Sequence, residues 1–297
     1  MYHHVMASLA TTANVLKENY LPLIKSRQTL MLAFTGAAGY LCQPPAPLDW
    51  LRFIGLVASL LATISGCTVL NMFIDRDIDG KMERTRHRPL CSGQVSAQTA
   101  VWLGSSMVAL GLLWAAFLSL PLFVVILTGA CLNVLVYTVW LKRRSAWSIV
   151  WGGLAGGMPI LAGRVFAIGH LDSLGLLMAL VIVCWIPSHN LTLSMLYSAD
   201  YRHAGVPTVL NTYGTPATHF LITFSSIMVS ILMMQVFSQL GLVGFTMSLF
   251  FMLSLGLVGL AVYSWVNPTQ KMLAFVYKYS SLYLLLSTIL LVYSGIG

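Results

Sequence analysis

Apolar residues in this chain fall in long unbroken runs, with neither the alternation of a half-buried strand nor the single stripe of a soluble helix. The runs cover roughly 24–42, 51–74, 97–117, 120–141, 147–168, 173–197, 216–238, 241–264 and 272–295. Each holds about 20 residues, enough as an α-helix to cross the roughly 30 Å apolar core of a bilayer. The pattern predicts an all-α polytopic membrane protein with nine transmembrane helices, forming one domain over residues 1–297. Only Ser119-Leu120-Pro121 separates the third run from the fourth, which predicts a tight antiparallel pair.

The charges between the runs set an orientation. With the N-terminus inside, fourteen of the sixteen Lys and Arg residues fall on or near the cytoplasmic side, and only Arg52 and Arg164 fall outside. This predicts an N-in, C-out topology. At 58% hydrophobic and 8% charged residues, with a mean hydropathy of +0.84, a soluble globule is excluded. The formal charge of +8 reads as an orientation signal with some attraction for anionic lipid or substrate, and not as nucleic-acid binding. The cysteines at 42, 67, 91, 131 and 184 show neither Cys-x-x-Cys nor metal spacing, and His3-His4 is too isolated to form a metal site. The first twenty residues carry no removable signal pattern. Residues 1–22 read as an interfacial segment ending at Tyr20-Leu21-Pro22, and Gln43-Pro44-Pro45-Ala46-Pro47 as a stiff external turn.

One polar stretch stands apart. Residues 71–90 hold four of the eight acids and five of the sixteen bases, between two apolar runs. If the preceding helix continues, Asn71, Asp75 and Asp79 recur at i, i+4 and i+8 and share a face. Oxygen side chains so stacked suit Mg2+, which takes one or two carboxylates plus substrate phosphates and water. Arg84, Arg86 and Arg88 follow, and forked guanidinium groups match phosphate oxygens. The stretch therefore predicts a metal-bridged diphosphate, against a solvated loop with incidental salt bridges. An EF-hand is excluded, because Asp75, Asp77, Asp79 and Gly80 fit its first positions but Arg86 stands where the bidentate Glu belongs. Asp77 points away from the Asp75–Asp79 face.

Other positions add to this membrane face. Lys25 and Arg27 open the first run, either as snorkelling anchors or as part of a phosphate-binding rim. Asn133 and Tyr137 share a face near the end of the fourth run, followed by Trp140 and the triplet Lys142-Arg143-Arg144. Gly152, Gly153, Gly156, Gly157 and Pro159 predict close packing or a kink in the fifth. His189 follows Pro187 inside the sixth, where it either lines a chamber or is a hydrogen-bonded packing residue. Asp200-Tyr201-Arg202 then forms a second acidic loop, so active-site loops are expected at 75–96 and 198–215. Ser96 is placed to cap the third helix.

Asn71, Asp75 and Asp79 match an Asn-x-x-x-Asp-x-x-x-Asp motif, and with it the chain resembles the UbiA superfamily of intramembrane prenyltransferases. Within that superfamily, Asp75-Arg76-Asp77-Ile78-Asp79, Arg84-Thr85, Arg88-Pro89-Leu90, Tyr137-Thr138, Trp140-Leu141-Lys142-Arg143 and Ala204-Gly205-Val206-Pro207 are similar to the protoheme IX farnesyltransferase family. The likeness covers roughly residues 20–215 and departs at Ile160, Ser188, Asn190 and Thr208, on the acceptor side.

The resemblance implies nine helices around a central chamber, in the cytoplasmic membrane of a prokaryote with the site facing the cytoplasm. It implies Mg2+ on Asn71, Asp75, Asp79 and Asp200, and a diphosphate neutralised by Arg84, Arg88, Lys142 and Arg202. Lys25, Arg27, Tyr137, His189 and Tyr201 complete the implied substrate site, with His189 at the haem. Its substrates would be an isoprenoid diphosphate and haem B, its surroundings membrane lipid, and its partner a downstream haem-modifying enzyme or oxidase assembly. Alternatives are a superfamily member with a quinone-precursor or lipid acceptor, a terpene cyclase, and, from another class, a transporter. The transporter is disfavoured because the carboxylates crowd one membrane face instead of lining a path.

Overall fold

Four helices begin where a side-chain oxygen takes up free backbone N–H groups. Asp49 accepts from the amides of Leu51 and Arg52 at the start of α2 (Trp50–Ile74), and Ser96 accepts from Thr99 N at the start of α4 (Ala97–Leu118), as expected. Asp172 does the same for α7 (Ser173–Leu196) and Thr208 for α9 (Val209–Gln239). The remaining elements are α1 (Ser26–Leu41), α3 (Arg76–Asp79), α5 (Leu120–Cys131, continued by a π-helix over Leu132–Leu141), α6 (Ser148–Ile168), α8 (Ser198–His203), α10 (Phe245–Val266) and α11 (Gln270–Ile296). The computed structural model describes residues 21–42 and 48–296, and among them there is no strand. Most of the interfacial segment, with His3 and His4, and the whole external turn at 43–47 lie outside the described residues.

Among the described residues, eight helices are long and apolar enough to cross a membrane, and the chain is an integral, multi-pass membrane protein. The first predicted span is the 16-residue α1. Central and peripheral helices are separated by burial. Within their most apolar windows, 61% of residues are buried in α6 and 56% in α7, against 17% in α4 and 22% in α10. The chain is thus built around α6 and α7, with α4 and α10 turned to lipid.

Bilayer lipid is as apolar as leucine, so the helices must gain from close contact, and glycines provide it. A Cβ on Gly163 of α6 would stand 1.9 Å from Gly36 O of α1, and one on Gly39 would stand 2.1 Å from Ile160 O. The glycine run of α6 works similarly: Gly156 takes Ile186 and Gly157 takes the backbone of Ala179, both on α7, while Gly152 takes the ring of Tyr137. At the end of the bundle away from Asp75, Arg164 NH2 pairs with Asp172 Oδ2 at 2.6 Å, and Arg52 lies over the Phe166 ring at 4.6 Å. The two basic residues set apart by the charge count thus lie together.

Two elements differ from the sequence reading. The second loop, read as 198–215, is itself partly helical, holding α8 and the short helical stretch from Val209 that opens α9. That stretch ends at a break at Gly214, whose φ 82° and ψ 179° are not helical, and the long seventh span follows it, close to the 216 read from the sequence. The lower part of α5 is π-helical over Leu132–Leu141, which apolar periodicity does not reveal.

Candidate active site

The acidic stretch continues the helix, as the i, i+4, i+8 spacing requires. Asp75 N bonds Asn71 O at 2.9 Å and Asp79 N bonds Asp75 O at 2.8 Å, so α2 passes into α3 with only a slight break at Asp75. Asn71, Asp75 and Asp79 are 8%, 1% and 4% exposed, which places all three toward the protein interior. Asp77 faces the other way, exposed, where Arg143 grips it with bonds of 2.8 and 2.6 Å. Those bonds hold the Asp77 carboxyl below its ordinary range. The contribution of such a depressed carboxylate is present at neutral pH and fades only as pH falls through the lowered value. Because the pair is exposed, Asp77→Asn should cost under about 1 kcal/mol. Turnover should stay within roughly threefold of the parent in a steady-state assay, and a thousandfold loss would make Asp77 part of the machinery.

Basic side chains from three separate segments meet the inward face. Lys142 Nζ pairs with Asp75 Oδ2, Arg88 NH1 pairs with Asp79 Oδ2, and Lys25 Nζ donates to Asn71 Oδ1 at 3.1 Å. Lys25 thus lies against Asn71, at the end of the inward face. The π-helix at the end of α5 bonds Lys142 N to Tyr137 O, five residues back, at 2.9 Å, and such wide turns often mark functional sites. Beside it Thr138 accepts from Asn71 Nδ2 at 2.9 Å. Thr138 and Arg143 stand in the sequence only as parts of the resembling stretches Tyr137-Thr138 and Trp140-Leu141-Lys142-Arg143, without a role of their own. The basic triplet is a further signal for Arg143, whereas apolar periodicity gives none for Thr138.

The second loop ties down the first. Asp200 accepts from the backbone amides of Glu83 and Arg84, both at 3.2 Å, and Tyr201 packs with Ile78, Met82 and Val206. Arg84 lies over the Tyr197 ring at 5.1 Å. Arg27 and Arg202 are exposed, and no hydrogen bond or ion pair joins either to the cluster among the described residues. Asp200→Asn should leave the fold intact but loosen Arg84, raising KM for a prenyl diphosphate roughly tenfold, as for other supporting-shell changes; an unchanged KM would count against the tether.

His189 is held by stacking and a hydrogen bond, as its packing reading expects. Its ring is stacked between Trp185, at 4.6 Å, and Tyr277, at 4.3 Å. Its Nδ1 meets Ser280 Oγ at 2.8 Å, so it is a hydrogen-bonded residue held in one orientation, half-buried rather than closed off.

A cation would find an oxygen donor set here. Asp75 Oδ1 is buried with no hydrogen-bond partner, a costly state for a carboxylate oxygen unless something binds it. Among the described residues no three His, Cys, Asp or Glu side chains converge on one point, so protein groups alone would not enclose an ion. The donors fit Mg2+ bound through one or two carboxylates with substrate phosphates completing its shell.

Residues 32–293 match the model of the UbiA prenyltransferase family. The chain belongs to that family. Its curated relatives include the protoheme IX farnesyltransferase of Thermofilum pendens, 42% identical over 67% of this chain and 71% of that protein. That of Desulforudis audaxviator is 32% identical over 89% of this chain and 84% of the relative. Among solved structures, a digeranylgeranylglyceryl phosphate synthase superposes with a TM-score of 0.78 at 18% identity, covering 95% of this chain and 99% of the other. A UbiA homologue from Archaeoglobus fulgidus bound to DMAPP and Mg2+ superposes at 0.67 and 15% identity, over 91% and 99%. These likenesses bear out the UbiA fold, and this UbiA-family chain is an enzyme, a prenyltransferase similar to the protoheme IX farnesyltransferases.

Proposed function

We propose that this enzyme transfers a farnesyl group from farnesyl diphosphate to a vinyl group of protoheme IX, giving haem O and diphosphate. The observation that carries the donor half is the buried pair Asp75 and Asp79, each neutralised by a basic side chain, with Asp75 Oδ1 unpartnered. The acceptor half is supported by the names of the curated relatives, protoheme IX farnesyltransferase. The donor class is supported by the related structures bound to DMAPP or GPP with Mg2+. The site opens toward the cytoplasm in this reading, on the face carrying most of the Lys and Arg residues.

Asp75 and Asp79, with Asn71, would hold Mg2+, which when bound supplies positive charge to the diphosphate oxygens; Asp200, expected from the sequence as a further ligand, has both carboxylate oxygens on the amides of Glu83 and Arg84 and would hold the first loop in place. As the diphosphate arrives, Lys142 and Arg88 exchange their carboxylates for phosphate oxygens, and Lys25 and Arg84 add further charge. The chain's task is to stabilise the charge that develops on the departing diphosphate as the allylic C–O bond breaks. Tyr137, wedged against Gly152, offers an aromatic face to the allylic carbon. The vinyl group's terminal carbon bonds to farnesyl C1. Water then adds to the adjoining carbon and loses a proton, which leaves a hydroxyethylfarnesyl side chain. His189, fixed by its two aromatic neighbours and Ser280, orients the haem.

Purified protein in detergent with farnesyl diphosphate, Mg2+ and haem B, each omitted in turn, should release diphosphate only when all three are present. Release without haem consumption would move the function to another acceptor or to cyclisation, and no release at all would remove the donor site.

A further inference from the structure

The polar atoms around Asn71 leave its amide only one consistent orientation. Lys25 Nζ can only donate, and it reaches Asn71 Oδ1 at 3.1 Å. Asp75 Oδ2 accepts from Asn71 Nδ2 at 3.1 Å. The other Nδ2 proton goes to Thr138 Oγ1 at 2.9 Å. Thr138 has a single hydroxyl proton, and that proton is spent on the carbonyl of Asn133 at 2.8 Å. Toward Asn71, therefore, Thr138 acts only as an acceptor. Thr138 is fully buried, so water does not compete for either bond.

The π-helix makes this arrangement available. Asn133 lies five residues before Thr138, within Leu132–Leu141; an α-helical turn would bring the carbonyl four residues back beneath the hydroxyl instead. The same wide turn carries Lys142 to Asp75. Of the three partners of Asn71, Lys25 and Asp75 belong to the charged cluster and exchange partners when a diphosphate and its cation enter. Thr138 is uncharged, buried and already saturated as a donor, so it is the partner that stays.

We propose that Thr138 is a positioning residue: its hydroxyl, held as an acceptor by the π-helical turn, fixes the Asn71 amide with Oδ1 directed into the polar cleft that receives the prenyl diphosphate and its cation. The cleft's role rests on the function proposed above, whereas the orientation of the amide rests on the hydrogen bonds alone. Outer-shell partners of this kind are worth roughly 10–100-fold in metal affinity or activity.

Thr138→Val removes the hydroxyl at nearly constant volume, and Thr138→Ser retains it. Binding of Mn2+ by the full chain in detergent, with farnesyl thiodiphosphate present, is read from the EPR signal of the free ion. Mn2+ affinity should fall roughly 10–100-fold in Thr138→Val. The Mg2+ concentration giving half-maximal turnover should rise by a similar factor while KM for haem B stays unchanged. Thr138→Ser should restore both. In an Asn71→Ala background the Val substitution should have no further effect. If Thr138→Val does not fold, Thr138→Ala carries the same expectations without added methyl crowding. Wild-type Mn2+ affinity in the variants, or an equal loss with and without Asn71, would overturn the role. A parent protein that binds no Mn2+ would instead contradict the proposed function and take this role with it.

Discussion

Replacing Asp75 or Asp79 by Asn should lower turnover by roughly a thousandfold, the scale on which a preorganised electrostatic contact contributes to catalysis, while the protein remains folded. Both carboxylates are buried on the inward face of the α2–α3 junction, and each has a basic partner in place. Asn preserves shape and hydrogen bonding but removes the charge that a cation needs. Diphosphate release measured beside a thermal unfolding curve separates lost chemistry from lost structure. Activity within tenfold of the parent in either variant would remove that carboxylate from the metal site.

A second large effect is expected at Lys142. Its ammonium is the charged partner of Oδ2 of the almost fully buried Asp75, while Asp75 Oδ1 has no hydrogen bond. Lys142→Met keeps much of the side-chain length and leaves that carboxylate uncompensated, which should cost about 3–5 kcal/mol of stability. Adding Asp75→Asn removes the stranded charge, so the double variant should regain most of the loss without regaining activity. Thermal unfolding of the two single variants and the double variant measures the coupling. Additive losses would show that the pair does not act as a unit.

Much of this site was legible because helical spacing is a strong constraint. Asn71, Asp75 and Asp79 share a face at i, i+4 and i+8, and that face is the buried one; Asp77, placed opposite, is exposed. The two acidic loops were recognisable as belonging together because they hold five of the eight acids, and Asp200 does reach the amides of Glu83 and Arg84. Less visible was anything that depends on where one helix meets another. Thr138 belongs to one of the resembling stretches but carries no sign of its contact, and the π-helical turn puts it on Asn71. His189 could not be assigned from its own helix, because Tyr277 and Ser280, more than 80 positions away, hold it. The break before the seventh span was legible from Gly214 and Pro216, whereas the short helical stretch from Val209 that precedes it was not.

Mass analysis of the haem recovered after reaction tests the central claim most directly. With farnesyl diphosphate, Mg2+ and haem B supplied together, the product should be heavier than haem B by one farnesyl group plus one hydroxyl group, and the Asp75→Asn variant should leave haem B unchanged. Unmodified haem B beside stoichiometric diphosphate release by the parent protein would contradict haem as the acceptor.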